Sequence, residues 1–391
     1  MISRREAVVL AGGFGTRLAD VISDLPKPMA PVAGRPFLRF LLDQLADHAF
    51  SRVVIADGYR KECIEEYFGS MYRGMELVYS SEDTPLFTGG AVKQALNLCS
   101  APWVYVFNGD TYLEVDFDKM ENSLSRDADS VTACLAVKEM CDFDRYGTLD
   151  IERVSGRITA FHEKKPCKKG FINAGVYLLK NGVLDDCPVK FSLEIDYFEK
   201  VVDGGSLCAV EMTGCFIDIG IPEDYRFSQT LLAPLAKKWK LALFDRDGTI
   251  NVDTGHLFEP EKLELIPETI EIIRGYNKKD DYKIVVVTNQ AGIAKGMYTV
   301  EQMHELHRYL DELLDQQDVH IDAYYYCPHH PDYTGPCECR KPRSGMIKKA
   351  LFDFDADPDS CILYGDKDTD IAAARDAGVC GVQINHEKMG R

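Results

Sequence analysis

Lys240-Leu241-Ala242-Leu243-Phe244-Asp245-Arg246-Asp247-Gly248-Thr249-Ile250, in mid-chain, decides how this sequence folds. An apolar run ends abruptly in two carboxylates, a glycine and a threonine. A buried strand delivers charged groups to the end of a sheet in this way. The run follows a break in the pattern at Leu231-Leu232-Ala233-Pro234-Leu235-Ala236-Lys237-Lys238, and it starts a second series of strands and helices. Later strands of that series are Tyr282-Lys283-Ile284-Val285-Val286-Val287-Thr288 and Cys361-Ile362-Leu363-Tyr364-Gly365-Asp366. Upstream a first series is already complete. It opens with Ala7-Val8-Val9-Leu10 running into Ala11-Gly12-Gly13-Phe14-Gly15-Thr16-Arg17-Leu18, and continues with strands near 52–56, 76–79 and 103–107. Strands alternating with helices imply βαβ units and parallel sheets. The expectation is an α/β protein of two doubly wound domains, 1–232 and 233–391, with no low-complexity linker and no internal repeat.

Composition bounds the function. A chain of 391 residues suits two or three domains. Its 46% hydrophobic and 28% charged residues are those of an ordinary globular protein. No apolar run approaches the roughly 18 residues that span a bilayer. Met1-Ile2-Ser3-Arg4-Arg5 reads as the lead into a buried strand rather than a signal peptide. The net charge of -18 argues against a general nucleic-acid binder. Small phosphorylated substrates stay open, because local cations and metal ions override the mean field. Most of the thirteen cysteines, such as Cys63, Cys99, Cys134, Cys208, Cys361 and Cys380, sit singly in apolar or helical stretches, as reduced thiols of a cytoplasmic protein do.

In the first half, glycines at Gly12, Gly13 and Gly15 let backbone N–H groups approach a phosphate, and a following helix N-terminus favours negative charge. Arg17 adds a guanidinium for phosphate oxygens. Downstream, Leu25-Pro26-Lys27-Pro28-Met29-Ala30-Pro31 uses prolines to stiffen the loop that carries Lys27. Asp110, in Phe107-Asn108-Gly109-Asp110, and Asp218, in Phe216-Ile217-Asp218-Ile219-Gly220, each end a strand. Converging carboxylates of this kind suit Mg²⁺. The combination resembles the sugar nucleotidyltransferases over about residues 6–228, above all their D-glycero-D-manno-heptose 1-phosphate guanylyltransferase branch. The resemblance implies a Rossmann-like nucleotidyltransferase sheet. It places the triphosphate on Gly12, Gly13, Gly15 and Thr16, with Arg17 and Lys27 neutralising phosphate charge, and makes Asp110 and Asp218 the Mg²⁺ pair. It puts the base and sugar against Leu86-Phe87-Thr88-Gly89-Gly90-Ala91, the sugar phosphate on Glu163 and Lys164, and the sugar near Gly147, Asn173 and Glu194. Phe87 stands where that family usually has glycine.

In the second half, the two carboxylates of Asp245-Arg246-Asp247 serve one site: one attacks phosphorus, the other moves the proton. Attack by an anion on an anion needs neutralisation, and Thr288-Asn289, Lys341 and Asp366 appear in order to supply it. This ordered set resembles the haloacid-dehalogenase superfamily of phosphatases over about residues 239–385. By that likeness the sheet is Rossmannoid, Asp245 is the nucleophile and Asp247 the acid/base. Thr288 binds the phosphoryl group, Lys341 stabilises it, and Asp245, Asp247 and Asp366 hold Mg²⁺. Asn289, Arg340 and Lys367 then contact substrate. The short spacings between these residues leave no room for a large cap. Three cysteines and a histidine in Tyr326-Cys327-Pro328-His329-His330 and Cys337-Glu338-Cys339-Arg340-Lys341 can close a tetrahedral Zn²⁺ site. Cys327, His329, Cys337 and Cys339 are the expected ligands, with His330 the rival histidine, and the metal is structural. The pattern resembles the zinc-containing D-glycero-D-manno-heptose 1,7-bisphosphate 7-phosphatases. His304 and His307 read as surface or packing residues of a helix.

Joined on one chain, the two resemblances imply a bifunctional enzyme. One half removes the 7-phosphate of a heptose bisphosphate, and the other activates the remaining 1-phosphate with an NTP, by likeness GTP. Competing readings are a mannose 1-phosphate-type transferase fused to a phosphatase of another substrate such as histidinol phosphate, or one domain acting as a scaffold. Small molecules are the expected partners, with a homo-oligomer left open.

Overall fold

Strand Arg5–Leu10 is apolar and almost wholly buried, as a strand covered on both faces must be. In the computed structural model, which describes residues 5–13, 25–82, 84–124 and 130–384, it lies between Phe50–Asp57 and Trp103–Asn108, parallel to both. Met75–Ser81 extends the parallel core beyond Phe50–Asp57. The chain divides into two compact units, Met1–Ala236 and Lys237–Arg391, with the short turn Ala233–Leu235 kept in the first.

Among the described residues the sheet of the first unit has ten strands, parallel at its centre and again where Leu207–Glu211 pairs with Ala133–Phe143, with antiparallel pairings between and at the edges. Cys167–Lys180 runs antiparallel to all its neighbours, with Ala133–Phe143 along one edge and, on the other, Thr148–Ile151 beside Phe171 and Ile172 and Trp103–Asn108 beside Val176 to Lys180. The alternation along Ala133–Phe143 explains why this arm is hard to read. Its first five residues are buried, and then exposed and half-exposed polar residues follow. Helix Phe37–Asp47 lays Leu38, Leu41, Leu42 and Leu45 on one face of the sheet, and Phe87–Leu96 lays Ala91, Val92, Ala95 and Leu96 on the other. Each leucine so buried contributes about 1.5–3 kcal/mol, and truncating one to alanine costs about 2–5 kcal/mol. Apart from the main sheet, Thr111–Leu113 pairs antiparallel with Phe216–Asp218, Thr111 lying opposite Asp218.

The second unit carries five parallel strands in the order Ala323–Cys327, Tyr282–Asn289, Lys240–Phe244, Ile362–Gly365, Cys380–Gln383. The chain moves outward from Lys240–Phe244 on one side, then returns to build the other. The carboxyl end of that strand is therefore a topological switch point, where open α/β sheets bind ligands. Lys240–Phe244 and Tyr282–Asn289 have completely buried centres, Leu241 to Phe244 and Val285 to Val287. Among the described residues, no helix is long and apolar enough to cross a membrane.

Candidate active sites

The first site forms where the central strands end. Gly109 donates its N–H to the Leu10 carbonyl at 2.9 Å, and a Cβ at Gly109 would lie 2.4 Å from that oxygen. Glycine there lets Asp110 follow directly on the paired strand ends. The small antiparallel pair then brings Asp218 alongside, and Ile219 N–H bonds the Asp110 carbonyl at 3.0 Å. Burial, reinforced by the neighbouring Asp110, raises the pKa of Asp218 above the usual carboxylate range. Two carboxylates disfavouring each other's charge are suited to a divalent cation. Lys27 starts the short 3-10 turn Lys27–Met29 and reaches Asp110 Oδ2 at 3.1 Å. Gly12 and Gly13 follow strand Arg5–Leu10, with Asp57 and Glu82 beside Gly12. Gly15, Thr16 and Arg17 lie outside the described residues.

A polar chain gathers three of the expected pocket residues. Thr88 Oγ1 donates to Glu194 at 2.7 Å, Tyr177 OH donates to the other Glu194 oxygen at 3.3 Å, and Asn173 Nδ2 donates to Tyr177 OH at 2.9 Å. Gly89 is next to Thr88, packed against Phe191. Asn173 sits in an irregularity of its long strand whose Gly175 abuts Asn108, two residues from Asp110. Glu163 and Lys164 are exposed in the turn after strand Ile158–His162, and Gly147 precedes Thr148–Ile151 with its Cα against the His162 carbonyl. Phe87, the departure from glycine, keeps a left-handed backbone (φ +60°) and an exposed ring, with Lys190 Nζ 4.6 Å from its centroid.

The second site is far more enclosed. Lys341 Nζ lies 2.7 Å from Asp245 Oδ1, 2.7 Å from Asp370 Oδ1, and 2.8 Å from the Val287 carbonyl, with only 3% of the residue exposed. Burial pushes the Asp245 carboxyl up to about 6, with Asp370 and Asp247 adding to it and Lys341 opposing. Burial also works against the charge on Lys341, yet Asp245 and Asp370 together hold its pKa above the usual value. Asn289 fixes the lysine backbone, donating to the Lys341 carbonyl at 3.1 Å and accepting from its N–H at 3.0 Å. Thr288 is buried, its Oγ1 accepting from Gln290 at 2.9 Å. Gly248 takes a positive φ of 88°, and a Cβ there would come within 2.4 Å of Asp366 Oδ2.

Asp245, Asp366 and Asp370 offer carboxylate oxygens within 4.8 Å of one another. The oxygen-rich set fits Mg²⁺. Asp370 joins the expected Asp245 and Asp366 in this side-chain cluster. The Asp247 carboxylate turns instead to Arg246, which donates at 3.0 and 2.9 Å, to Asn251 at 3.1 Å and to Gln290 at 3.0 Å. The signal for Asp370 was one helical turn past Asp366, at the start of helix Asp368–Asp376. Lys367 reaches Asp253 at 3.0 Å, and Arg340 donates to the His329 carbonyl at 3.3 Å.

Beside this site, Cys327, His329, Cys337 and Cys339 bring their ligand atoms within 4.8 Å of one another. The sulfurs are 3.1–3.6 Å apart, and His329 Nδ1 is 3.3 Å from Cys339 Sγ. Tetrahedral Zn–S bonds of about 2.3 Å need sulfurs slightly farther apart, so the set accepts the ion with a small expansion. Neighbouring Cys327 holds the Cys339 thiol down to about 5, with His329 and Cys337 helping against burial. Between the two histidines, the fold selects His329. The His330 ring instead caps the turn Pro331–Thr334, accepting from Asp332 N–H.

Residues 6–231 match the family described as nucleotidyl transferase, and residues 240–378 match polynucleotide kinase 3 phosphatase. The chain is 40% identical over 222 residues to the D-glycero-alpha-D-manno-heptose 1-phosphate guanylyltransferase of Campylobacter jejuni, covering 56% of this chain and 96% of that protein. It is 41% identical over 144 residues to the D-glycero-beta-D-manno-heptose-1,7-bisphosphate 7-phosphatase of Haemophilus influenzae, covering 36% of this chain and 78% of that one. The crystal structure of HddC from Yersinia pseudotuberculosis complexed with GMP-PN matches at 36% identity with a TM-score of 0.52, over 58% of this chain and 98% of HddC. Residues 6–231, which set Lys27 against Asp110 at a strand end, make this chain a member of the nucleotidyl transferase family, fused to a second unit of the heptose bisphosphate phosphatase family.

Proposed function

We propose that the chain catalyses two successive steps on one sugar. The second unit removes the 7-phosphate of D-glycero-D-manno-heptose 1,7-bisphosphate. The first then transfers a guanylyl group from GTP to the remaining 1-phosphate, releasing pyrophosphate and GDP-heptose. The observation that carries this reading is that each unit sets a lysine against aspartates at its strand ends: Lys27 at Asp110 beside Asp218, and Lys341 between Asp245 and Asp370. The names of the relatives supply the sugar and the base.

In the second unit the Asp245 carboxylate attacks the 7-phosphorus as the bond to the sugar oxygen breaks, and Asp247 gives that oxygen its proton. Asp247 then takes a proton from water attacking the aspartyl phosphate, which frees orthophosphate and restores Asp245. Lys341 and Thr288 stabilise the phosphoryl oxygens. In the first unit the sugar 1-phosphate attacks the α-phosphorus directly, so the protein's work is orientation and charge neutralisation by Lys27 and Arg17. Thr88, Asn173 and Glu194 orient the sugar, while Glu163 and Lys164 meet its phosphate. Mg²⁺ held by Asp110 with Asp218, and by Asp245, Asp366 and Asp370, supplies charge neutralisation at phosphate oxygens. Zn²⁺ on the cysteine–histidine cluster is structural and steadies the segment leading to Arg340 and Lys341. A cytoplasmic setting agrees with thirteen free thiols.

The relatives' names differ in anomer, alpha for the transferase and beta for the phosphatase. Hydrolysis at C7 leaves C1 untouched, so a shared intermediate requires one anomer throughout, and we assign the alpha form. The test offers the protein alpha and beta heptose 1,7-bisphosphates with each of four NTPs and follows orthophosphate and pyrophosphate. Orthophosphate followed by pyrophosphate, with the alpha sugar and GTP, is the expected result. Pyrophosphate from mannose 1-phosphate but never from the heptose would overturn the assignment.

A further inference from the structure

Arg246 stands between the two reacting carboxylates of the second unit and is completely buried, the bulkiest side chain so enclosed among the described residues. Its Nε and Nη2 grip both oxygens of Asp247, Nη2 also reaches the Leu257 carbonyl at 3.2 Å, and Nη1 faces His307 Nε2 at 3.1 Å. A guanidinium only donates, so His307 Nε2 accepts and the ring proton resides on Nδ1. Among the described residues that Nδ1 has no hydrogen-bond partner. The buried ring stacks on Tyr324, centroids 4.3 Å apart and planes 15° apart. Burial, with Arg246 adding to it, holds His307 far below its usual pKa, so the ring stays a neutral acceptor. Simple packing at either position is served better by an apolar side chain, because a buried ion pair and an unmatched N–H both cost stability.

We propose that Arg246 and His307 are positioning residues for Asp247. With Asn251 and Gln290, which donate to the same two oxygens, the planar guanidinium fixes where the carboxylate sits, and His307 fixes the guanidinium. The Leu257 contact ties the loop after Asp253 to the same clamp. This rests on the reading of Asp247 as the acid. Loss of orientation then matters in proportion to how much the leaving group needs a proton. A sugar alkoxide needs one, and p-nitrophenolate does not.

The test compares kcat/KM for heptose 1,7-bisphosphate and for p-nitrophenyl phosphate in the full-length chain. Arg246→Lys keeps the charge and removes the fork, and His307→Phe keeps the stacking and removes the acceptor. His307→Gln restores an acceptor. General acid catalysis contributes about 10²–10⁴-fold. Arg246→Lys is therefore expected to lower the sugar-phosphate value about 10–100-fold and the aryl-phosphate value less than about threefold. His307→Phe has a smaller loss of the same selectivity, and His307→Gln recovers it. Asp247→Asn is the reference. If it lowers both substrates equally, the acid reading of Asp247 is wrong. If it is selective while Arg246→Lys and His307→Phe lower both substrates in parallel, or neither, the positioning proposal is wrong. An unchanged far-ultraviolet dichroism and urea-unfolding transition of the second unit show that the variants fold.

Discussion

Lys27 and Lys341 both face an aspartate at the end of a central strand, and they differ in almost everything else. Lys27 and Asp110 keep 18% and 33% of their side-chain surfaces, whereas Lys341, Asp245 and Asp370 keep 2%, 8% and 1%. A half-buried pair that water still reaches contributes about 1 kcal/mol and separates readily when a phosphate arrives. A buried lysine between two carboxylates has already lost its hydration. It is a fixed centre of charge that needs no rearrangement during reaction. The first unit has to admit a large nucleotide and a sugar phosphate together. The second hides Asp245, the nucleophile proposed above, and only a terminal phosphate has to reach it.

The widest separation between the two regions comes from their aspartates. Asp245→Asn should abolish orthophosphate release by about 10⁴-fold or more while guanylyl transfer continues. Asp110→Asn should do the reverse, by about 10²–10³-fold. A chain in which one unit is a scaffold would respond to only one of them. Removing the lysines tests the contrast directly. Lys341→Ala leaves two buried carboxylates without a cation and should destabilise the second unit by about 3–5 kcal/mol in denaturant unfolding. Lys27→Ala should alter stability by less than about 1 kcal/mol while slowing pyrophosphate release. Equal losses of stability would break the comparison.

The metal cluster gives a smaller effect. Cys339→Ser should release zinc, read by metal analysis, and lower phosphatase activity about tenfold or more with transfer retained. Smallest is a pH effect at Asp311, a half-buried residue of the second unit whose carboxyl is pushed up to about 7 by burial, with Asp315 and Glu312 adding to it. Its Tyr324 hydrogen bond opposes that shift. The native state keeps this proton to a higher pH than the unfolded chain does. Its contribution is therefore full in acid, falls as pH rises from about 4 to 7, and is level above that. Asp311→Asn should flatten that fall in stability between about pH 4 and 7, as measured by urea unfolding at several pH values.

What was legible in advance was local. Asp245-Arg246-Asp247 at a strand end and Cys337-Glu338-Cys339 near Cys327 announce themselves by spacing. The antiparallel arm around Cys167–Lys180 did not, because its lysines and half-wet faces hide the strand pattern. Asp370 shares the first turn of its helix with another acid, Asp368, and its 2.7 Å approach to Lys341 is what sets it apart. His307 followed a helical spacing and read as packing, which is true of its ring and incomplete for its Nε2.

The chain's own order of residues determined two α/β units, the identity of the charged groups at their strand ends and the composition of the thiol cluster, since each depends on short-range periodicity. Tertiary structure decided how the expected Asp110 and Asp218 are brought together, that the expected His329 lies among the cysteines while His330 caps a turn, and that Asp370 joins Asp245 and Asp366 while the Asp247 carboxylate turns to Arg246. Those choices depend on where strands far apart in sequence are laid side by side, and hydrogen-bond register rather than residue type sets that placement.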